Sequence, residues 1–350
     1  MFKQRKWKNR DTILLLERLE LYISSGLTID KTLSIASQGI SKRQKISVEN
    51  IRSQVISGTL LSKALVANIG ISKTLSGLVE HGESSGELAR ALGTSRKLLE
   101  RGDELTKKCL SALAYPIIIG IFSLLLTFGL VRGVMPQIIP MLKSLHVQLP
   151  LLTRFVMSVS ENIIAYGLQI FAAITLIAGL LIFAYKKSRK FRAFSHAVFI
   201  RVPIIGPLIY NYSLSLFLQS CGALVDSGIQ ISQSVVSTAG TVSLLPLSKF
   251  LLDQQPQIRK GISLGQIFMN KTKRIPNYVA PLLIAGEASG SLGQSLIRVA
   301  SIIDRDMEYS LKRITSLIEP VMMAGMGCVV GGIALSIMMP IYDISRVLQH

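Results

Sequence analysis

Residues 82–88 read Gly-Glu-Ser-Ser-Gly-Glu-Leu and residues 286–292 read Gly-Glu-Ala-Ser-Gly-Ser-Leu, so one pattern, Gly-Glu-x-Ser-Gly-x-Leu, occurs twice in the chain. The repeat reaches well beyond this motif. Ser25-Gly26-Leu27-Thr28-Ile29 returns as Ser227-Gly228-Ile229-Gln230-Ile231. Gly58 with Leu61 and Leu65 returns as Gly261 with Leu264 and Phe268, and Arg101, Glu104 and Pro116 return as Arg305, Glu308 and Pro320. A nearly constant offset held over so much sequence is an internal duplication, and such a chain must solve the same packing problem twice.

The local unit is helical. Upstream of the first Ser-Gly turn, Leu15, Leu19, Tyr22 and Ile23 recur at i, i+4, i+7 and i+8; Phe217, Cys221, Leu224 and Val225 repeat the stripe in the second copy. That period belongs to helices packed on a bundle. Gly26 and Gly228 stand where a left-handed cap lets the chain turn, a conformation costly for residues with a Cβ. No segment alternates long enough to compete as a strand, and Gly, Ser, Asn and Pro mark the loops, as in Gly70–Ser72 and Gln254–Gly261. Each copy is expected to be a run of short helices that ends in a long helix leading into the bilayer.

Three stretches, Leu110–Val131, Ile163–Tyr185 and Val321–Ile341, contain no Asp, Glu, Lys or Arg. Each meets the roughly 20 apolar residues needed to cross a hydrocarbon core. The first apolar run, Ile13–Ile23, is interrupted by Glu17, Arg18 and Glu20, which argues against a cleaved leader and keeps the N-terminus in the cytoplasm. The chain carries 39 Lys and Arg against 20 Asp and Glu. The excess flanks the spans on one side, with Lys107 and Lys108 before the first and Lys186, Lys187, Arg189, Lys190 and Arg192 after the second. The positive-inside rule then makes both duplicated segments cytoplasmic. The expected organisation is a basic tail (1–10), a first bundle (11–109), a span (110–131), an extracytoplasmic loop (132–162), a span (163–185), a second bundle (186–320), a span (321–341) and an extracytoplasmic tail (342–350). Ala197–Leu218 is apolar enough to be mistaken for a span, but Arg201, Pro203 and Pro207 make it a poor one.

The net charge of +19 does not point to nucleic acid, because aromatics are 6% of the chain and no basic stripe lies outside the flanks of the spans; anionic lipid is the expected counterpart. Cys109, Cys221 and Cys328 have no CxxC spacing and read as small buried apolar residues. His81, His146, His196 and His350 lack metal-ligand spacing. There is no GxxxxGK[ST] phosphate loop, so no catalytic, cofactor or metal residue is assigned.

The duplicated Gly-Glu-x-Ser-Gly-x-Leu with its upstream Ser-Gly-hydrophobic turn resembles the platform proteins of bacterial type II secretion and type IV pilus assembly, the GspF and PilC family. Pro203, Gly206 and Pro207, ahead of the helix around Phe217, look like that family's passage into its second domain. The resemblance implies an all-α integral membrane protein with two homologous cytoplasmic helical bundles and three transmembrane helices. It implies a multi-pass protein of the bacterial inner membrane with a cytoplasmic N-terminus and an extracytoplasmic C-terminus. Its implied role is a non-enzymatic scaffold that couples a cytoplasmic hexameric ATPase to pilin or pseudopilin subunits, alongside other inner-membrane assembly proteins and as a homo-oligomer. Only about ten residues, five of them basic, precede the first bundle, fewer than in many relatives, which resembles the short type IVb pilus or competence forms and moves the ATPase contact elsewhere. The alternatives from other classes are a small transporter and a lipid-binding signalling module.

Candidate positions follow from these readings. Glu83 and Glu287, between Gly82 and Gly86 and between Gly286 and Gly290, are expected at corners between two helices, where a carboxylate favours unpaired N–H groups. They are structural, or they form a partner or self-association surface together with Gly26, Gly86, Gly228 and Gly290. Ser84 and Glu87 have capping-box spacing. Gly327 and Gly331 form a GxxxG in the third span, for packing within the chain or for dimerisation. Arg132 either snorkels to the outer interface or lines a path for a substrate.

Overall fold

The computed structural model describes residues 7–133, 151–187, 205–242, 244–269 and 274–347, with a few isolated positions between them. The start of the basic tail (residues 1–6), residues 141–150 of the expected loop, Arg189, Lys190, Arg192, Arg201, Pro203, His146, His196 and His350 lie outside the described residues. Among the described residues all regular structure is helical. The first copy contains α1 (Asn9–Ser24), α2 (Ile29–Ala36), α3 (Lys42–Ile56), α4 (Leu61–Ile69), α5 (Lys73–Ser85) and the start of α6 (Leu88–Gly133). After α7 (Leu151–Lys187) the second copy contains α8 (Ile205–Asp226), α9 (Ile231–Ala239), α10 (Leu245–Asp253), α11 (Gln255–Arg259), α12 (Leu264–Met269), α13 (Val279–Ala288) and the start of α14 (Leu292–Val347).

The chain divides into two compact units, one made of residues 1–108 and 193–308, the other of 109–192 and 309–350. The first unit holds both copies. In copy one, Leu15, Leu16, Leu19, Leu33, Val48 and Ile51 close a core with α4 and α5. Local chemistry sets the helix boundaries. Ser41 starts α3 with a capping box: its hydroxyl accepts from Gln44 N–H, and Gln44 Oε1 accepts from Ser41 N–H at 3.1 Å. Ser72 Oγ accepts from Leu75 N–H at 3.3 Å to start α5. The Ser-Gly turns take the expected form: Gly26 has φ +82° and Gly228 φ +89°. Leu27 N–H then reaches Tyr22 C=O and Ile229 N–H reaches Leu224 C=O, the six-to-one bond of a Schellman cap.

The second unit is the membrane part. Its helices are the later portions of α6 and α14, with α7, and they carry the three uncharged stretches. The apolar windows of α6 and α14 are 0% and 6% buried by protein, so Leu124, Leu125, Val321 and Met323 face outward, as suits helices of this length and composition in a bilayer. Within this unit Tyr115 Oη donates to Glu319 Oε1 at 3.3 Å, and a Cβ at Gly120 would stand 3.7 Å from the end of Met322.

The long helix that ends each copy, α6 or α14, runs on into an uncharged stretch, with Pro116 and Pro320 inside it. Two features differ from the sequence-based expectation. The helix around the second span begins at Leu151 and so takes in residues expected in a loop. Of the cysteines only Cys221 is buried; Cys109 is intermediate and Cys328 is exposed on α14. The apolar helix α8, long enough by composition to cross a bilayer, is instead 56% buried over its apolar window, inside the first unit.

Candidate functional site: the duplicated corners and the seam between copies

Helix α4 begins at Leu61 after Leu60, whose side chain offers no oxygen for a cap. The missing acceptor comes from α5: Leu61 N–H donates to Glu83 Oε1 at 2.5 Å and Ser62 N–H to Oε2 at 3.0 Å. In copy two, Leu264 N–H donates to Glu287 Oε1 at 3.0 Å, while Ser263 Oγ donates to Oε2 and itself accepts from Gln266 N–H. Each glutamate thus sits in the last turns of α5 or α13, not between helices, and closes the start of the helix that precedes its own. An anionic acceptor on unpaired N–H groups at the positive end of a helix dipole is favourable on both counts.

The glycines of the motif have separate tasks. A Cβ at Gly82 would come within 2.4 Å of Ala91 Cβ, and one at Gly286 within 2.2 Å of Ser295 Oγ, so each lets its helix lie hard against the next. Gly86 and Gly290 have φ +77° and +69° and turn the chain into α6 and α14. The close approach at Gly82 and Gly286 was visible in the sequence only as the invariant first letter of the repeat. The capping box expected from Ser84 and Glu87 does not form, because Ser84 is still helical and donates to His81 C=O at 2.9 Å. Gly327 and Gly331 lie on α14 with nothing within 4 Å of a Cβ at either position among the described residues. Arg132 is exposed, its guanidinium 6.0 Å from the Phe128 ring centroid.

A second cluster, missed in the sequence, joins the copies inside the first unit. Arg101 on α6 donates through Nε and Nη2 to Asp304 Oδ2 on α14 at 3.0 and 2.6 Å, and through Nη2 to Ser301 Oγ at 2.9 Å. Ser215 on α8 donates to the other oxygen of the same carboxylate. Asp304 is 7% exposed, and with its charge paired and both oxygens bonded it meets the condition under which burial of a carboxylate is tolerated. One turn or two further along, Lys108 Nζ bridges Glu104 and Glu308 at 3.0 and 2.6 Å. Thr106 Oγ1 meets Tyr212 Oη at 3.0 Å, and Thr74 Oγ1 meets Thr241 Oγ1 at 3.3 Å. Burial, aided by the bond that its hydroxyl donates to Asp306, pushes the Tyr278 phenol above its ordinary range.

These groups pair acid with base and hydroxyl with hydroxyl or carboxylate, the chemistry of a fixed seam. Among the described residues no group of three His, Cys, Asp or Glu side chains is gathered to hold a metal ion. The family model described as "Type II secretion system (T2SS), protein F" matches residues 15–136 and again residues 217–340, the two copies in order. A protein of Thermus thermophilus named "Type IV pilus assembly protein PilC" is 28% identical over 96% of this chain and 82% of its own length. A "Type II secretion system protein F" of Aeromonas hydrophila is 28% identical over 96% of this chain and 87% of its own. A PilC of Pseudomonas aeruginosa is 25% identical over 98% and 92%.

Proposed function

This chain belongs to the type II secretion system protein F family, and from that premise we propose that it is the inner-membrane platform of a type IV pilus or type II secretion machine. In that role it couples a cytoplasmic hexameric ATPase to the movement of pilin or pseudopilin subunits, without chemistry of its own. The observation that carries the reading is the continuity of α6 and α14: 46 and 56 residues of unbroken helix begin in a bundle copy and end among the membrane stretches. Each carries the chain from a bundle copy into a membrane stretch with no intervening loop, which is the covalent path along which work done on the bundle would reach the bilayer.

Both bundles belong on the cytoplasmic side with the C-terminus outside, in keeping with the cationic flanks of the spans. The acidic corners at Glu83 and Glu287, with Gly26, Gly86, Gly228 and Gly290, maintain the bundle surfaces that such partners meet. Gly327 and Gly331 offer α14 a place for close helix contact in the bilayer. No observation favours the transporter or the lipid-signalling alternative.

Gentle solubilisation of the tagged protein from its own host, followed by mass spectrometry, tests the reading. Recovery of a secretion-type ATPase with pilin-like subunits is the expected result. Recovery of the chain alone while a pilus operon is expressed, or ATP hydrolysis by the purified chain, would contradict it.

A further inference from the structure

The two copies do not meet symmetrically. Within the first unit α5 of copy one packs on α8 and α9 of copy two. Thr74 donates to Ser237 C=O at 3.5 Å, Gly77 faces Leu224 at 4.0 Å, and His81 lies 3.6 Å from a Cβ placed at Gly228. In the duplication α13 is the counterpart of α5, and α1 with α2 is the counterpart of α8 with α9. A two-fold arrangement would lay α13 on α1 and α2 in return. It does not: Pro281, Leu282, Ala285 and Ala288, the outer face of α13, are exposed.

Equivalent positions carry opposite burial. Leu78 on α5 is 1% exposed, whereas its counterpart Leu282 is 37% exposed. Ala223 on α8 is 5% exposed and its counterpart Leu21 is 59%. The residues left open have not become polar. Pro281 and Ala285 stand where α5 has Gly77 and His81, and Ile35 stands exposed where α9 has Ser237. A helix that is apolar on every side, as α13 is from Val279 to Ala285, belongs in a buried setting, and a contiguous apolar face left in water marks a contact.

We propose that this face of α13 receives the α1–α2 face of a second copy of this chain, repeating between chains the contact that α5 makes with α8 and α9 inside one. The occupant is argued from the internal seam, where the homologous pair of surfaces, α5 on α8 and α9, is already joined. A contact between two unlike surfaces is head-to-tail, so each added chain offers a fresh α13 face and the series closes as a ring or extends as a filament.

The internal pair Gly77–Leu224 translates to Pro281 of one chain against Tyr22 of the next. The full chain, with Cys109→Ser and Cys328→Ala and with buried Cys221 retained, is made with two tags, one form carrying Pro281→Cys and the other Tyr22→Cys. Both are co-expressed, and native membranes are treated with a short bis-maleimide. The expected product has doubled mass and both tags, exceeds that from Pro281→Cys or Tyr22→Cys alone, and is lost when the exposed Leu282 is changed to Glu. Three results overturn the proposal: no doubled product, as when lipid or another protein covers the face; equal product from Pro281→Cys by itself, which means a symmetric contact; or product that survives Leu282→Glu.

Discussion

At the scale of single residues, the repeated motif is a folding device compressed into a few letters. Glu83 completes a helix start that Leu60 leaves bare, and Glu287 does the same beside Ser263. A hydrogen bond to a charged group is worth about 1.5–3 kcal/mol, and removing its acceptor also leaves the donors unpaired. Glu83→Ala should therefore lower stability by about 2 kcal/mol in thermal melts of the detergent-solubilised chain. Glu287→Ala should cost less, because Ser263 Oγ still accepts from Gln266 N–H. Equal losses would mean that the second hydroxyl contributes nothing. The sequence displayed the two acids and the likelihood of an N-terminal role, but not which helix they serve, since the target lies about twenty residues upstream of each. At Cys221 burial pushes the thiol up to about 12. Its proton is held more tightly folded than unfolded, so the stabilisation it brings is complete below about pH 9 and is lost as pH rises toward 12. The native protein at pH 8 should accordingly leave Cys221 unlabelled by maleimide, and denaturant should release it; labelling before unfolding would show that the first unit opens locally.

At the scale of elements, the copies diverge most at the third helix. Copy one uses the single α3, begun by the Ser41–Gln44 box, whereas copy two breaks the same span into α10 and α11 at Gln254, with Pro256 in the first turn of α11. Proline fits a first turn because its missing N–H would have no partner there, and it cannot continue a helix from within. Ser41→Ala should cost about 1 kcal/mol, the usual value of a lost N-cap, and Ser41→Asp should restore most of it; melts of the two variants side by side decide this. The Ser-Gly turns were legible because their chemistry is local, whereas the caps at Ser41 and Ser72 were not singled out and the capping box read from spacing, Ser84 with Glu87, does not form. The long helix that carries each copy into an uncharged stretch was legible as well, from the duplication and the absence of charge over 110–131 and 321–341. The prolines stay inside the helices at positions where each helix passes toward the bilayer, a setting in which neighbouring groups re-satisfy the freed carbonyl.

At the scale of the whole chain, the question is what makes two homologous bundles one unit. The duplication was plain in the sequence, and it led to the matching of Arg101 with Arg305 and of Glu104 with Glu308 as equivalents. The structure pairs across that register: Arg101 meets Asp304, the neighbour of its equivalent, and Lys108 meets Glu308. Sequence equivalence gives which residues share an environment within a copy and says nothing of which touch between copies, so this seam was out of reach. Its energetic centre is Asp304, whose side chain is 10% exposed against 31% for Arg101. Removing the arginine leaves a buried carboxylate with only Ser215 to bond it. A fully buried pair broken in this way loses about 3–5 kcal/mol; with Arg101 nearly a third open to solvent, Arg101→Met should lose about 2 kcal/mol. Asp304→Leu, which leaves the guanidinium a route to water, should lose less. The double variant should recover much of the loss, because matched apolar groups replace a matched ion pair. A double-mutant cycle on melting of the full chain measures the coupling. A coupling near zero, with Arg101→Met and Asp304→Leu each harmless, would mean that the copies are held by the packing of α5 on α8 and α9 alone and that the ion pair only decorates the seam.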